Sequence, residues 1–341
     1  MEGERERQIV RNMRFFSSSC RSNVRLPGKT VVVTGANCGI GKETAKDLYR
    51  RGARVILACR DTNKAKEAVN DIKERCSRDS ENDSRNQPGE LEICQLNLSD
   101  LKSVRKCAQH LLSTESAIHI LINNAGTFLH PFEKTADGFE THFQVNHLSH
   151  FLFTLLLLPK IRESGPGCRI INVSSLAHKA GDINFEDINS ERSYSSIKAY
   201  AQSKLANILF TKELDNKLRA AGIQNINVYT LHPGVVSTNL ARHVDRTIFR
   251  GAESMWKIVT PFVKTAKQGS QTSIYCAVDD KVGNESGLYY DNCKAVRPSA
   301  RARNPELAKK LWKYSCEVLG LPNDMELEEL LRTLSREEAE Q

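Results

Sequence analysis

The chain has 341 residues, 49 Lys and Arg against 41 Asp and Glu, and a formal charge of +8. That length suits one large α/β domain, and a modest basic excess with no aromatic residues interleaved among the cations excludes a nucleic-acid platform. Ten cysteines occur without a C-x-x-C pair or any metal-like grouping, which points to small buried thiols in a reducing compartment and to no metal site.

Residues 1–26 are basic and hold no long apolar stretch, so they read as a polar tail, neither signal peptide nor membrane span. The strand expected from Thr30 to Thr34 runs straight into Thr34-Gly35-Ala36-Asn37-Cys38-Gly39-Ile40-Gly41 and an amphipathic helix from Ile40 to Arg51. Strand, Gly-rich turn and helix start, in that order, suit a dinucleotide pyrophosphate. Gly35 permits the tight turn, Gly39 lets the backbone approach the phosphates, and Gly41 lets the helix pack on the sheet with its first amides facing the anion.

A second strand, from Arg54 to Ala58, ends in Cys59-Arg60-Asp61. A carboxylate at that tip would bond a ribose 2′-hydroxyl, whereas a cation accommodates a 2′-phosphate. Arg60 at the tip implies NADP(H), with Lys64 as a helper; a register one residue different would present Asp61 instead. The alternation continues with strands from Leu91 to Leu96, Ile118 to Ile122, Arg169 to Val173, Asn227 to Leu231 and Leu288 to Tyr290. Helical periodicity falls from Lys64 to Cys76, Leu101 to Thr114, up to about Arg162, and from about Ser196 to Ala221. This predicts a single Rossmann-type, doubly wound α/β domain with a seven-stranded, mostly parallel sheet and helices on both faces. The segment from Ser77 to Glu90 lacks large apolar residues and reads as a mobile surface insertion, and residues 304–341 as a helical tail.

Tyr200 and Lys204 stand four residues apart in the helix that begins near Ser196, and so share a face. A phenol with an ordinary pKa of about 10 exchanges protons poorly at neutral pH, and a neighbouring ammonium favours the phenolate. Tyr194 and Lys198 repeat the spacing, but in the polar stretch INSERSYSSIK, which reads as loop. The strand RIINV ends in Ser174-Ser175, placing hydroxyls at the carboxyl edge of the sheet, where one can orient a substrate oxygen.

Taken together these motifs resemble the short-chain dehydrogenases/reductases, over about Pro27 to Arg303. The resemblance adds Asn123-Asn124-Ala125-Gly126 as the fourth-strand motif, Asn146 as the helix asparagine, and His232-Pro233-Gly234 as the turn over the nicotinamide. It implies Tyr200 as acid/base, Lys204 as ribose ligand and tuner of Tyr200, Ser175 as the group positioning the carbonyl, and Asn146 as support for a proton-relay water. Cofactor contacts are implied at Gly35, Asn37, Gly39, Ile40, Gly41, Arg60, Asn97, Leu98, Asn124, Ala125, Gly126, Pro233, Gly234 and Val235. LPGKTVVVTGANCGIGKETA, KTADGFETHFQVNHLSHF, SSLAH and PSARARN are similar to the retinol dehydrogenase 11 to 14 subgroup. That implies an NADP(H) enzyme of retinal, retinol and other apolar aldehydes and alcohols. Two features depart from it: Asn97 stands where the subgroup usually has Asp, and the apolar N-terminal anchor of many members is missing.

The stretch 238–270 mixes large apolar residues such as Ile248, Phe249, Trp256 and Phe262 with Lys and Arg. It reads as a substrate lid with a basic face suited to peripheral membrane contact, or as a helix pair packing on the core or on a second copy in a homodimer. The expected setting is the cytosol or the cytosolic face of the endoplasmic reticulum. A steroid or general carbonyl reductase, and a non-catalytic NADP(H)-binding scaffold, stay open beside the retinoid reading.

Overall fold

The computed structural model describes residues 18–80, 87–236 and 264–340. Strands β1 (Thr30–Thr34), β2 (Arg54–Cys59), β3 (Glu90–Gln95), β4 (Ile120–Asn123), β5 (Cys168–Val173), β6 (Ile226–His232) and β7 (Leu288–Asp291) lie parallel in the order β3-β2-β1-β4-β5-β6-β7. An eighth, β8 (Lys294–Ala295), pairs antiparallel with β7, so among the described residues the expected seven-stranded sheet has eight strands. Both β8 residues are exposed, and a two-residue strand has no apolar alternation to announce it.

The strand order turns back between β1 and β4: β2 and β3 build outward on one side, β4 to β7 on the other. The carboxyl ends of β1 and β4 therefore flank the crevice where open α/β sheets take their ligands. Helices cover both faces. Val32 of β1 packs in a core with α3 (Leu101–Thr114) and α4 (Ser149–Glu163), while Val31 and Val33 pack in a second core with α1 (Gly39–Arg50), α2 (Thr62–Ser80) and α6 (Gln271–Val278). Alternate side chains of one strand point to opposite cores, which is why β1 is apolar throughout.

Helix α1 buries Gly41, Thr44, Ala45 and Leu48, a one-sided helical spacing. The buried run Phe151 to Leu158 makes α4 apolar nearly all round, as a core helix must be. Helix α5 (Ser196–Ala220) begins at Ser195, whose side chain accepts from the Lys198 N–H.

Much of the expected insertion is ordered. α2 continues through Ser80, helped by Ser77 Oγ donating to Lys73 O at 2.9 Å and by the i,i+4 pair of Glu74 and Arg78. Gly89 N donates to Tyr49 O at 2.9 Å, and a Cβ on Gly89 would fall 1.9 Å from Ala53 O. Only residues 81–86 of that stretch lie outside the described residues.

The described parts of both tails pack on the body. The Arg51 guanidinium donates to Ser22 O at 2.9 Å and Val24 O at 2.8 Å, and Leu26 N donates to Arg51 O at 2.8 Å. Helices α7 (Pro305–Val318) and α8 (Leu327–Glu340) put Trp312, Cys316, Leu327 and Leu331 into the core that holds Phe151. No helix among the described residues is long and apolar enough to cross a membrane. Most of the expected lid, 238–263, lies outside the described residues; its described end holds one helical turn, Ala266–Gly269, closed by a capping box of Thr265 and Gln268.

Candidate active site

The Gly-rich loop leaves β1 at Thr34 and enters α1. Gly35 takes φ 65°, where a Cβ would also stand 2.9 Å from Ala125 Cβ, and Gly39 takes φ 55°. A Cβ on Gly41 would lie 2.5 Å from both Asn124 Nδ2 and Gly35 O. The loop after β4 is thus pressed against this one, and only glycine fits between them. Cys38, at the N-cap of α1, makes no side-chain cap, and the first turn of α1 holds no acidic residue. Uncapped amides with no carboxylate beside them fit a dinucleotide pyrophosphate. Asn37 lies half-buried in the same loop, and Ile40 meets Gly269, where a Cβ would come 3.2 Å from Ile40 Cγ1 and 2.7 Å from Val236 Cγ2.

At the tip of β2, Arg60 is exposed. Asp61 is turned to the next helix: its Oδ1 accepts from Lys64 N at 3.0 Å and its Oδ2 lies 3.7 Å from Lys64 Nζ. These contacts hold its carboxyl below the ordinary range, the Lys64 amide most of all. Lys64 is therefore paired with Asp61. After β3, Asn97 Oδ1 accepts from Ser99 Oγ at 2.8 Å, and the carbonyl of Leu98, 7 % exposed, accepts from Ser149 Oγ at 2.6 Å.

Tyr200, Lys204, Ser175 and Asn146 converge where the carboxyl ends of β4 and β5 meet α5. Asn146 sits in a π-helical turn, Gln144–Leu148, just before α4; such turns are frequent at functional sites. Its Oδ1 accepts from Thr127 N at 2.7 Å, and its Nδ2 donates to Thr127 O at 3.0 Å and Ser203 Oγ at 2.9 Å. A Cβ on Gly126 would lie 3.1 Å from Asn146 Oδ1 and 3.4 Å from Lys204 Nζ, so Gly126 is the small residue that lets the two approach. Lys204 Nζ donates to Val173 O at 3.1 Å and lies 5.7 Å from the centre of the Tyr200 ring. Phe128 meets that ring edge-on at 4.7 Å. Burial pushes Tyr200 up to about 12, opposed by a hydrogen bond with the Ser175 side chain, and pushes Lys204 down to about 8. The expected lowering of Tyr200 by its lysine is not seen: desolvation dominates, and only the Ser175 hydrogen bond opposes it. Ser175, half-buried, heads a 3₁₀ turn (Leu176–Ala180) and accepts at Oγ from Ala177 N at 3.2 Å.

Tyr194 precedes α5 and donates to His130 O, while Lys198 is exposed in the first turn; the second Y-x-x-x-K is no constellation. The turn after β6 brings buried Pro233, Gly234 at φ 95° and exposed Val235 to the same edge, held by Lys264 N donating to Val235 O at 2.7 Å.

Sequence reading missed the struts between these parts. Thr34 Oγ1 accepts from Asn124 N and Ala125 N, each at 2.9 Å, and lies 2.9 Å from His150 Nε2. His150 Nδ1 in turn lies 3.2 Å from Asn146 O, and burial pushes this imidazole down to about 4. The phosphate loop and Asn146 are thereby joined through one buried neutral histidine. Nothing in spacing signals it, because its partners are 116 and 4 residues away.

Comparison with known proteins agrees with this geometry. The family profile described as short chain dehydrogenase matches residues 29–248. Human retinol dehydrogenase 12 is 48% identical over 309 residues, covering 90% of this chain and 92% of its own, and human retinol dehydrogenase 11 is 48% identical over 315 residues, covering 92% and 93%. A solved structure from Mycobacterium paratuberculosis superposes with a TM-score of 0.68 at 36% identity, covering 88% of this chain and 97% of that one. By the sheet, the phosphate loop, the convergent Tyr, Lys, Ser and Asn, and these matches, the chain belongs to the short-chain dehydrogenase family.

Proposed function

We propose that this chain is an NADP(H)-dependent oxidoreductase that interconverts apolar aldehydes and alcohols, retinal and retinol foremost, with Tyr200 moving the proton. The observation that carries the reading is the convergence of Tyr200, Lys204, Ser175 and Asn146 at the sheet edge beside an uncapped phosphate loop. The loop amides and Gly35, Gly39 and Gly41 would hold the pyrophosphate, Arg60 the 2′-phosphate, and Lys204 the nicotinamide ribose. Asp61 is already engaged with α2, which favours Arg60 as the group that reads the ribose. When bound, the reduced nicotinamide supplies a hydride to the carbonyl carbon.

The residues do the rest by placing and moving one proton. Burial keeps the Tyr200 phenol protonated at neutral pH, the form a carbonyl oxygen needs as it gains charge. Ser175 donates a second hydrogen bond to that oxygen, and the Lys204 ammonium offsets the charge left on Tyr200. In the oxidative direction the same groups run in reverse. Asn97 carries an amide where the subgroup usually has a carboxylate, and its Oδ1 already accepts from Ser99 N and Oγ, so a bond to the cofactor there would have to compete with Ser99.

The relatives' names and the apolar rim support a retinoid-like substrate. Leu176, next to Ser175, is 45 % exposed and Val235, in the turn after β6, is 54 % exposed. The segment 238–270 is proposed as the cover over that rim, its basic face meeting a membrane surface at the cytosolic side of the endoplasmic reticulum. We assign residues 27–303 to the catalytic domain.

NADPH oxidation measured with all-trans-retinal, a steroid ketone and acetaldehyde tests the reading. The highest kcat/KM is expected for retinal, and a flat profile contradicts the apolar site. Binding of NADPH without turnover of any carbonyl would make the chain a scaffold.

A further inference from the structure

The peptide unit between Ser175 and Leu176 is gripped from both sides by two buried histidines. His178 Nδ1 lies 2.7 Å from the Ser175 carbonyl oxygen and donates to it, and His232 Nδ1 accepts from the Leu176 N–H at 3.1 Å. The C=O and N–H of one peptide belong to one rigid plane, so holding both fixes its rotation as well as its position. His178 is 0 % exposed and His232 7 %.

The far nitrogen of His178, Nε2, accepts from the Ser299 N–H at 3.2 Å, and its ring meets Tyr289 edge-on at 5.0 Å. His232 ends β6, where the neighbouring Ser174 N donates to Leu231 O at 2.8 Å. The peptide is thus tied to β6 through one histidine and to the PSARARN segment through the other. Each bond requires a particular neutral ring. His178 donates at Nδ1 and accepts at Nε2, so its proton is on Nδ1, whereas His232 accepts at Nδ1, so its proton is on Nε2. Burial favours both neutral forms, pushing His232 down to about 4 and His178 below its ordinary value.

Ser175 needs such support. It heads a turn of only five residues, and its Oγ accepts from Ala177 N within that turn, which leaves the hydroxyl proton to be directed by how the backbone is held. We propose that His178 and His232 are positioning residues that clamp the Ser175–Leu176 peptide and so aim the Ser175 hydroxyl at Tyr200 and the substrate oxygen. The proposal rests on the oxidoreductase reading above. His178 has no hydrogen bond with the phosphate loop, Tyr200 or Lys204, so through His178 the clamp acts on turnover and leaves cofactor affinity alone, whereas His232 also begins the turn assigned to the nicotinamide.

The test compares His178→Phe and His232→Phe, which keep a flat ring but lose the bonds, with His178→Asn and His232→Asn, whose amides can supply the Nδ1 donor or acceptor. With retinal and NADPH, the Phe variants are expected to lose roughly 10- to 100-fold in kcat, with retinal KM and, for His178→Phe, NADPH Kd within about twofold, and the Asn variants to recover most of it. Imidazole nitrogen NMR of the wild type is expected to show His178 protonated at Nδ1 and His232 at Nε2. Folded Phe variants with kcat within about twofold of wild type overturn the clamp, as does a loss of NADPH affinity in step with kcat in His178→Phe. If the Phe variants do not fold, the opposite tautomers in wild type overturn it, and the expected tautomers with kcat lowered in a Gln variant at either position support it. A wild-type chain that reduces no carbonyl defeats the oxidoreductase reading itself, and the clamp falls with it; an active wild type with unaffected Phe variants defeats the clamp alone.

Discussion

The ammonium of Lys204 stands 5.7 Å from the centre of the Tyr200 ring, one helical turn away, and both side chains are almost wholly buried. Burial moves both toward their neutral forms, Tyr200 to about 12 and Lys204 to about 8. The pair therefore holds a protonated phenol beside an ammonium that gives up its proton just above neutral pH. The arrangement costs stability and serves chemistry.

That cost is measurable. The folded Lys204 has a pKa of about 8 against an ordinary 10.5, so between those pH values the unfolded chain binds the extra proton and wild-type stability rises with pH. Below pH 8 the full penalty is present, about 3 kcal/mol at 1.36 kcal/mol per pH unit. Lys204→Met removes it and loses the bond to Val173 O, worth roughly 1 kcal/mol. The variant is expected to be more stable than wild type at pH 7, with the gain shrinking toward pH 10, and to turn over poorly at both. Urea unfolding at the two pH values checks this; a gain that grows with pH contradicts it.

Arg60→Asp replaces an exposed cation at the tip of β2 with a carboxylate. Hydrogen bonds to charged groups are worth about 1.5–3 kcal/mol, so the apparent KM for NADPH is expected to rise roughly 10- to 100-fold while that for NADH changes far less. Equal effects on the two cofactors would sink the assignment of Arg60 to the 2′-phosphate.

Much of this was legible in the chain because local signals and tertiary roles coincided. Seven strands follow from apolar runs with Gly-rich or helical flanks, and Tyr200 was separable from Tyr194 because only Tyr200 opens a core-facing helix. What escaped notice was tertiary. β8 is too short for periodicity, and α2 runs on to Ser80 on local bonds with no apolar anchor. His150 and His178 look like ordinary residues, and His232 only like the start of a turn, until folding brings Thr34, Ser175 and Leu176 to them. The sense of the Tyr200 shift is hidden from the sequence for the same reason, since spacing reveals a neighbouring charge but not the dryness around it.

The C-terminal helices belong to the core. Trp312, 3 % exposed, meets the Phe151 ring edge-on at 4.9 Å. Trp312→Ala is expected to cost about 3–5 kcal/mol, read as a fall in the denaturation midpoint. A loss under about 1 kcal/mol would mean that α7 contributes little to the fold.

As proposed, Tyr200 delivers the proton, and Tyr200→Phe removes the one oxygen atom that carries it. Steady-state oxidation of NADPH with all-trans-retinal, run beside NADPH titrations of both proteins, is expected to show kcat falling by about 10²- to 10⁴-fold with cofactor affinity unchanged. A Phe variant that retains wild-type turnover would contradict proton delivery by Tyr200.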